Sequence, residues 1–418
     1  MKTLRLNNQL PLIVAVAFLV SAAISARGAG FDLPDQDAFV IARGMAFVAT
    51  ADNPSAIYYN PAGITQLPGN NLRGGIYGIY LLPSYTPPGG GRSFDNQDTL
   101  HALPQLYYTH GQEDCPVSLG LGLYSPFGLG LRWPQDTGFR TVGTRSQLTC
   151  ITLNPVAALK LAEAFSIGGG ITVNYADATL EQGLFSMNQD TDLFRFRGNG
   201  WSVGYNLGAR WQPYEKIAFG VSFRSGTRID LHGHTEAQNS SPPAPIFSER
   251  TAANADFPFP LKAIFGVSYR PTPQWNLEFD ADYTDWSSVN TVTIHQPSSV
   301  VLPKNVALVL GWQSSWYYEF GATRYLDNGW HVSAGYILNE NSDPNAHYTP
   351  LSADLERHFF SIGTGFQGKR FDVDIAYQFG YGPSHTVSGS APSPAGQTAD
   401  GRYDFISHAI AVSTQMHF

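Results

Sequence analysis

Five carboxylates alternate with large apolar residues on two short segments: Glu278, Asp280 and Asp282 on one, Asp372 and Asp374 on the other. Paired carboxylates can serve as acid and base in hydrolysis. Here the spacing of two residues is what an extended strand gives to one face, so alternation alone accounts for it. The plain reading is a wetted, charge-paired wall, with Arg210 and Arg224 as partners; the functional alternative is a gate network against another part of the chain. His232-Gly233-His234 offers two imidazoles, yet it sits at a strand-to-loop boundary with no third ligand evident. Ser and His are plentiful, but no nucleophile elbow and no Gly-rich phosphate loop occurs. No catalytic set, no metal site and no cofactor is therefore expected. Arg140, Arg145 and Lys304 lie near the predicted outer ends of strands and are the candidates to meet a carboxylate ligand. Cys115 and Cys150 could pair in an oxidising compartment, but sequence leaves their separation open.

The elements that carry these residues read as strands. From Phe371 to Tyr381 every second residue is large and apolar, and the residues between are acidic, small or polar. The same period recurs at Trp201–Trp211, Ile217–Phe223, Trp275–Tyr283 and Phe360–Phe366. Tight connections such as Pro213–Lys216 and Gly368–Arg370 alternate with long ones rich in Pro, Ser, Gly and Asn, such as Gly233–Asp256 and Pro383–Arg402. Trp201, Trp211, Trp275, Trp286 and Trp330 fall at strand ends, where an interfacial aromatic girdle would lie. Charged residues make up only 14 % of the chain, against roughly 25 % in an average soluble domain. Beyond the N-terminus no apolar stretch reaches the roughly 18 residues of a membrane-spanning helix. A membrane chain without such helices must be a closed barrel, because lipid cannot satisfy open backbone groups. The expectation is thus an all-β fold, a fourteen-stranded antiparallel transmembrane β-barrel over residues 71–418. The net charge of −8 and the lack of a Lys/Arg cluster argue against nucleic-acid binding.

Residues 1–28 have the three parts of a secretory signal: Lys2 and Arg5, the apolar run Leu10–Val20, and the small residues Ala26 and Gly28 before a cut at Ala29, with cuts after Ser25 or Ala26 fitting nearly as well. Residues 29–70 are not strand-like. Ala38, Ile41, Ala42 and Met45 share one face of a short helix expected within Asp35–Val48. Phe31, Phe39, Phe47, Tyr58 and Tyr59 need somewhere to bury, so a small folded element inside the barrel is expected here. The final strand puts Ile406, Ile410 and Val412 on one face and Ser407, Ala409 and Ser413 on the other, and ends on Phe418. A terminal aromatic of this kind is similar to the signal read by barrel-assembly machinery, a predicted partner.

Several blocks then fall in one order: Ala29-Gly30-Phe31, Ala42-Arg43-Gly44-Met45-Ala46, Asn60-Pro61-Ala62, Ser125-Pro126-Phe127-Gly128-Leu129, Leu153-Asn154-Pro155, Tyr269-Arg270-Pro271 and Arg357-His358-Phe359. With them the chain resembles the long-chain fatty acid transporter family of outer membranes, which also includes aromatic-hydrocarbon transporters. The resemblance covers essentially the whole mature chain. It implies a monomeric barrel in the Gram-negative outer membrane, among its lipid and lipopolysaccharide, with residues 29–70 as a plug. It also implies passive uptake of a hydrophobic small molecule, long-chain fatty acid by default and aromatic or alkane hydrocarbon as the alternative. Substrate would enter between extracellular loops, reach an inner pocket and leave sideways through a gap at a kink in the third strand. The residues so implicated are Ala29, Gly30, Phe31, Asn60, Pro61 and Ala62 in the plug, and Ser125, Pro126, Phe127 and Gly128 at the kink. Chain physics agrees with the kink: Pro126 removes a ladder donor inside an apolar strand, and Gly128 loosens it. A barrel lipid hydrolase, a general porin and an adhesin are the competing readings. The first lacks a Ser/His signature, and an aromatic plug opposes the open lumen of the second.

Overall fold

The computed structural model describes residues 30–418, apart from 113, 188–190, 243 and 299–303; the export signal and Ala29 lie outside the described residues. Fourteen antiparallel strands close into one ring. They are β1 (Gly69–Leu81), β2 (Leu100–Gly111), β3 (Val117–Tyr124, resuming as Gly128–Arg132), β4 (Arg145–Ala162), β5 (Phe165–Gln182), β6 (Asp192–Tyr214) and β7 (Ile217–Arg224 and Thr227–Asn239). The second half comprises β8 (Phe247–Phe259 and Lys262–Tyr269), β9 (Trp275–Thr284 and Thr291–His295), β10 (Asn305–Val309 and Ser315–Tyr325), β11 (Trp330–Asn339), β12 (Arg357–Gln367), β13 (Phe371–Val387) and β14 (Gly401–His417). Closure is made by β1 on β14, in register from Asn71↔His417 to Leu81↔Ser407.

The strands alternate as a barrel in lipid requires: Ile375 is 50 % exposed while its neighbour Asp374 is 5 % exposed. Long strands overrun the expected boundaries. The stretch Gly233–Asp256, expected as a loop, is largely paired, from Thr227↔Phe259 to Asn239↔Phe247. A ribbon projecting beyond the bilayer needs no apolar outer face, so His234, Glu236, Gln238 and Arg250 concealed it from a hydrophobic-period reading.

Residues 30–68 lie inside the ring and are almost wholly buried. Helix α1 (Ala38–Ala42) is capped by the Asp37 carboxylate, which accepts from the N–H groups of Phe39 and Val40. It is shorter than expected, because Gly44 and Met45 turn to positive φ. Gly44 lies so close to the wall that a Cβ there would sit 2.6 Å from the Tyr336 amide. Helix α2 (Ala56–Tyr59) and the turn Pro61–Gln66 follow. The aromatic residues of this segment find their burial together: Phe47 stands edge-on to Phe39 and Tyr59, and Tyr58 to Tyr124.

Trp286 departs from the girdle expectation. It is fully buried and faces the segment, whereas Trp201, Trp211, Trp275 and Trp330 are exposed on the outside. Trp286 belongs to a short 3-10 turn that interrupts β9, and that break removes the strand alternation on which the expectation rested. Both cysteines are free, Cys115 exposed and Cys150 buried.

Candidate functional site: a break in the barrel wall

β3 stops at Tyr124 and resumes at Gly128. Below the break, β2 and β3 pair from Gly111↔Ser118 to Leu106↔Leu123. Above it, Gly128–Arg132 pairs only with β4, and β2 residues Leu100–Gln105 are laddered only to β1. The wall rejoins higher up, where Gln97 donates to the Arg132 carbonyl at 2.8 Å. The result is a window between β2 and β3. A proline flanks each side, Pro126 on β3 and Pro104 on β2, and neither can donate to a ladder. Pro104 was not singled out in the sequence. A proline inside an otherwise apolar strand was the available signal.

The N-terminal segment takes over the hydrogen bonds that the break leaves open. Asp32 and Phe127 form a β-bridge. Gly128 donates to the Phe31 carbonyl, and Leu33 to the Pro126 carbonyl, each at 2.9 Å. Gln36 Nε2 donates to the Ser125 carbonyl at 2.7 Å. Phe31 is therefore brought onto the kink residues Phe127 and Gly128, whereas Gly30 packs against Trp286 and Trp312 and donates to Asp354 Oδ2 at 3.3 Å. Phe31 enters an aromatic cage of Phe127, Phe257, Phe259, Trp286 and Trp312, with ring centroids 4.7–5.7 Å away.

Asn60, Pro61 and Ala62 sit elsewhere. Asn60 Oδ1 accepts from Ala62 N–H, and its Nδ2 donates to the carbonyls of Val48 and Ala209. The turn presses on the wall where β5 and β6 carry Gly168 and Gly208, and a Cβ on Gly168 would lie 2.7 Å from the Ala62 nitrogen. This triplet anchors the segment and does not touch the window.

The inward carboxylates divide between two tasks. Asp280 accepts from the N–H groups of Phe47 and Val48, and Glu278 from those of Ala49 and Thr50, at 2.7–3.1 Å. Arg43 reaches the same Glu278 at 3.1 Å. Lys262 joins Asp32 of the segment to Asp282 at 2.5 and 2.8 Å. These groups bind the segment to the wall. Asp374 pairs with His331 and with Arg73, which also binds Asp37 of the segment, whereas Asp372 pairs with His417.

A cavity of about 720 Å³ opens behind the window. Tyr77, Tyr124, Leu103, Leu148, Phe359 and Phe405 face it from within, Asp32–Asp35 from the segment, and the outward-facing Leu100, Leu106, Leu123 and Ile151 from the wall. Leu100 is 73 % exposed, so the lining of the cavity includes residues of the barrel's outer face. Burial pushes the Asp35 carboxyl on its rim up to about 7, with nearby Asp32 adding to the effect and the Gln378 side chain opposing it.

Of the three suggested cations, none lines this cavity. Arg140 is buried and committed to both oxygens of Asp192 at 3.0 Å. Arg145 is held by Glu181 and Gln147, and Lys304 is exposed. Among the described residues, Arg357 is the arginine or lysine that lines it, beside His101. Among the described residues no cluster of His, Cys, Asp or Glu could hold a metal. His232 and His234 pair with Asp230 and Glu236 instead.

A closed, lipid-facing β-barrel with a segment inside its lumen and a cavity beside the break in its wall is the architecture of an outer-membrane protein. The chain belongs to the outer membrane protein transport protein family (OMPP1/FadL/TodX), whose model matches residues 19–418. It is 23 % identical over 421 residues to the long-chain fatty acid transport protein of Escherichia coli K12, covering 90 % of this chain and 92 % of that one. Its fold matches a Pseudomonas aeruginosa FadL homologue (TM-score 0.82, 18 % identity, 93 % of this chain and 100 % of the other). It also matches the toluene transporter TodX of Pseudomonas putida (TM-score 0.75, 17 % identity, 93 % and 99 %).

Proposed function

We propose that this protein takes up hydrophobic small molecules across the outer membrane by passive diffusion, long-chain fatty acids first among them. Residues 30–68 act as a plug, and cargo leaves sideways through the window between β2 and β3. The observation that supports the reading is the cavity beside the break, lined by the exposed Leu100 and bounded inside by Phe31–Asp35. An apolar cargo moving along it stays against apolar surface, worth about 0.8 kcal/mol per CH₂ relative to water, and is never rehydrated on exit. The curated relatives named as fatty acid transport proteins support the substrate class. A second reading, aromatic hydrocarbon uptake, is favoured by the aromatic cage that already holds the benzyl group of Phe31, and by the fold match to a toluene transporter.

The test is uptake of labelled hexadecanoic acid and labelled toluene in a host lacking its own transporter. A Gly130→Leu variant is run alongside, which places a side chain in the window where the His101 ring lies. Wild type should import one or both and the variant neither, at equal surface levels of heat-modifiable barrel. Unimpaired uptake by the variant would overturn the lateral route.

A further inference from the structure

On the outer face of the wall, starting at the upper end of the window, six charged residues fall into one register. Across β3 to β8 the direct partners are Arg132↔Arg145, Arg145↔Glu181, Glu181↔Arg195, Arg195↔Glu236 and Glu236↔Arg250. Four arginines against two glutamates leave the row two positive charges in excess. Arg195 lies between its two glutamates, 2.7 Å from Glu181 and 3.1 Å from Glu236. Arg145 reaches the same Glu181 at 3.4 Å and keeps a buried Nε without a partner. Arg132, directly opposite Arg145, is exposed, and its side chain has no ion pair or hydrogen bond among the described residues. Like charges so placed destabilise the strand pair. Arg197, one step lower on β6, is exposed and equally unmatched. Other arginines of the outer rim are matched: Arg228 stands 2.9 Å from Asp256, and Arg402 3.2 Å from Asp404.

The height of the row decides what it meets. Trp201, ring to ring with Tyr175, belongs to the outer aromatic girdle, where hydrocarbon gives way to head groups. Arg197 lies four residues and Arg195 six residues beyond Trp201 on β6. At a rise of about 3.3 Å per residue and a tilt of about 40°, they stand roughly 10 and 15 Å above it. A phospholipid head-group layer is only roughly 5–8 Å thick, so its single phosphate stays below the row. We infer that the row seats one lipopolysaccharide molecule, with its phosphorylated, acidic sugars on Arg132, Arg145, Arg197 and Arg250. Its acyl chains lie on the apolar wall beneath, where Ile151, Ile171, Trp201 and Val203 are exposed. The inference goes beyond the transport reading and does not depend on it. Arginine meets phosphate through charge-assisted, paired hydrogen bonds, and an anion between Arg132 and Arg145 turns their repulsion into a shared contact. From β3 to β6 is three strand spacings, roughly 14 Å, a span that an acidic oligosaccharide bridges and a lone phosphate does not.

The experiment titrates the full barrel, purified in detergent and stripped of endogenous lipid, with rough lipopolysaccharide that retains its phosphorylated inner core. Phosphatidylglycerol is the phospholipid control, and bound lipid is counted by native mass spectrometry. Wild type should half-saturate with lipopolysaccharide at a concentration about tenfold or more below that for phosphatidylglycerol. The preference should shrink as salt rises from about 0.05 to 0.5 M. Arg132→Gln combined with Arg197→Gln should lose about tenfold or more of the lipopolysaccharide affinity and leave phosphatidylglycerol binding unchanged. Arg402→Gln, outside the row, should bind as wild type does. Equal affinity of wild type for the two lipids, an unaltered double variant, a parallel loss of both lipids or an equal loss in Arg402→Gln would each overturn the seat. Should the double variant fail to assemble, the wild-type preference and its salt dependence decide alone.

Discussion

Leu33 donates its backbone N–H to the carbonyl of Pro126 across 2.9 Å. A residue near the start of the chain thus completes the edge that a proline opened in the barrel wall. Buried backbone groups must be paired, so the window can exist only while something else occupies its edge. Leu33→Pro removes this donor. The barrel should assemble normally, while residues 30–36 lose hydrogen-exchange protection. Full protection in the variant would show that the contact is incidental.

Glu278 and Asp280 present their carboxylates to the amides of Phe47, Val48, Ala49 and Thr50 in sequence. Hydrogen bonds to a charged group contribute roughly 1.5–3 kcal/mol each. In Glu278→Gln, Arg43 also loses its ionic partner inside the barrel, which costs about 3–5 kcal/mol. The variant should keep a wild-type barrel melting temperature and expose the 43–52 region to protease. A cut pattern equal to wild type would show that the segment is held by packing alone.

Asp35 gives the segment a pH dependence. Its carboxyl is raised to about 7, chiefly by burial, so the docked state keeps a proton that the undocked chain has released. Its contribution is full below about 4, falls as pH rises to 7 and is flat above that. Because the carboxyl is partly open to the cavity, the slope stays below tenfold per pH unit. Protection factors of residues 30–36, corrected for the pH dependence of intrinsic exchange, should be higher at pH 5 than at pH 8, and Asp35→Asn should remove that difference. An equal difference in Asp35→Asn would assign it to another group.

Deleting Asn60–Ala62, or replacing Gly168 by Val, should displace the segment from β5 and β6. A Cβ at Gly168 meets the backbone of Pro61 and Ala62 and not a side chain that could move aside. Uptake should fall several-fold while the barrel stays heat-modifiable. Normal uptake in both variants would remove the anchor role.

Cys115 is exposed and Cys150 is buried on the cavity. A charged maleimide should label Cys115 alone. A small apolar maleimide should also reach Cys150, and hexadecanoic acid should slow that second reaction. Labelling of Cys150 unaffected by the acid would place the cargo path elsewhere.

The chain written out gives the strands where they face lipid. The period of two in Phe371–Tyr381 and in the final strand reappears as outward Ile375, Tyr377 and Ile410 and inward Asp374, Ala376 and Ser413, because lipid on one side and a packed lumen on the other enforce alternation residue by residue. The break at Ser125–Gly128 is also legible, because a missing donor is a local fact about proline. What lies opposite that break is not local. Pro104, the cage that draws in Trp286, and the row from Arg132 to Arg250 depend on which strands are neighbours and in what register. Ring closure sets that register through pairings such as Arg195↔Glu236, between residues distant in sequence. The same holds for Glu278 and Asp280. As letters they are polar residues on one face; only the tertiary structure decides that the amides of a segment more than two hundred residues earlier come to rest against them.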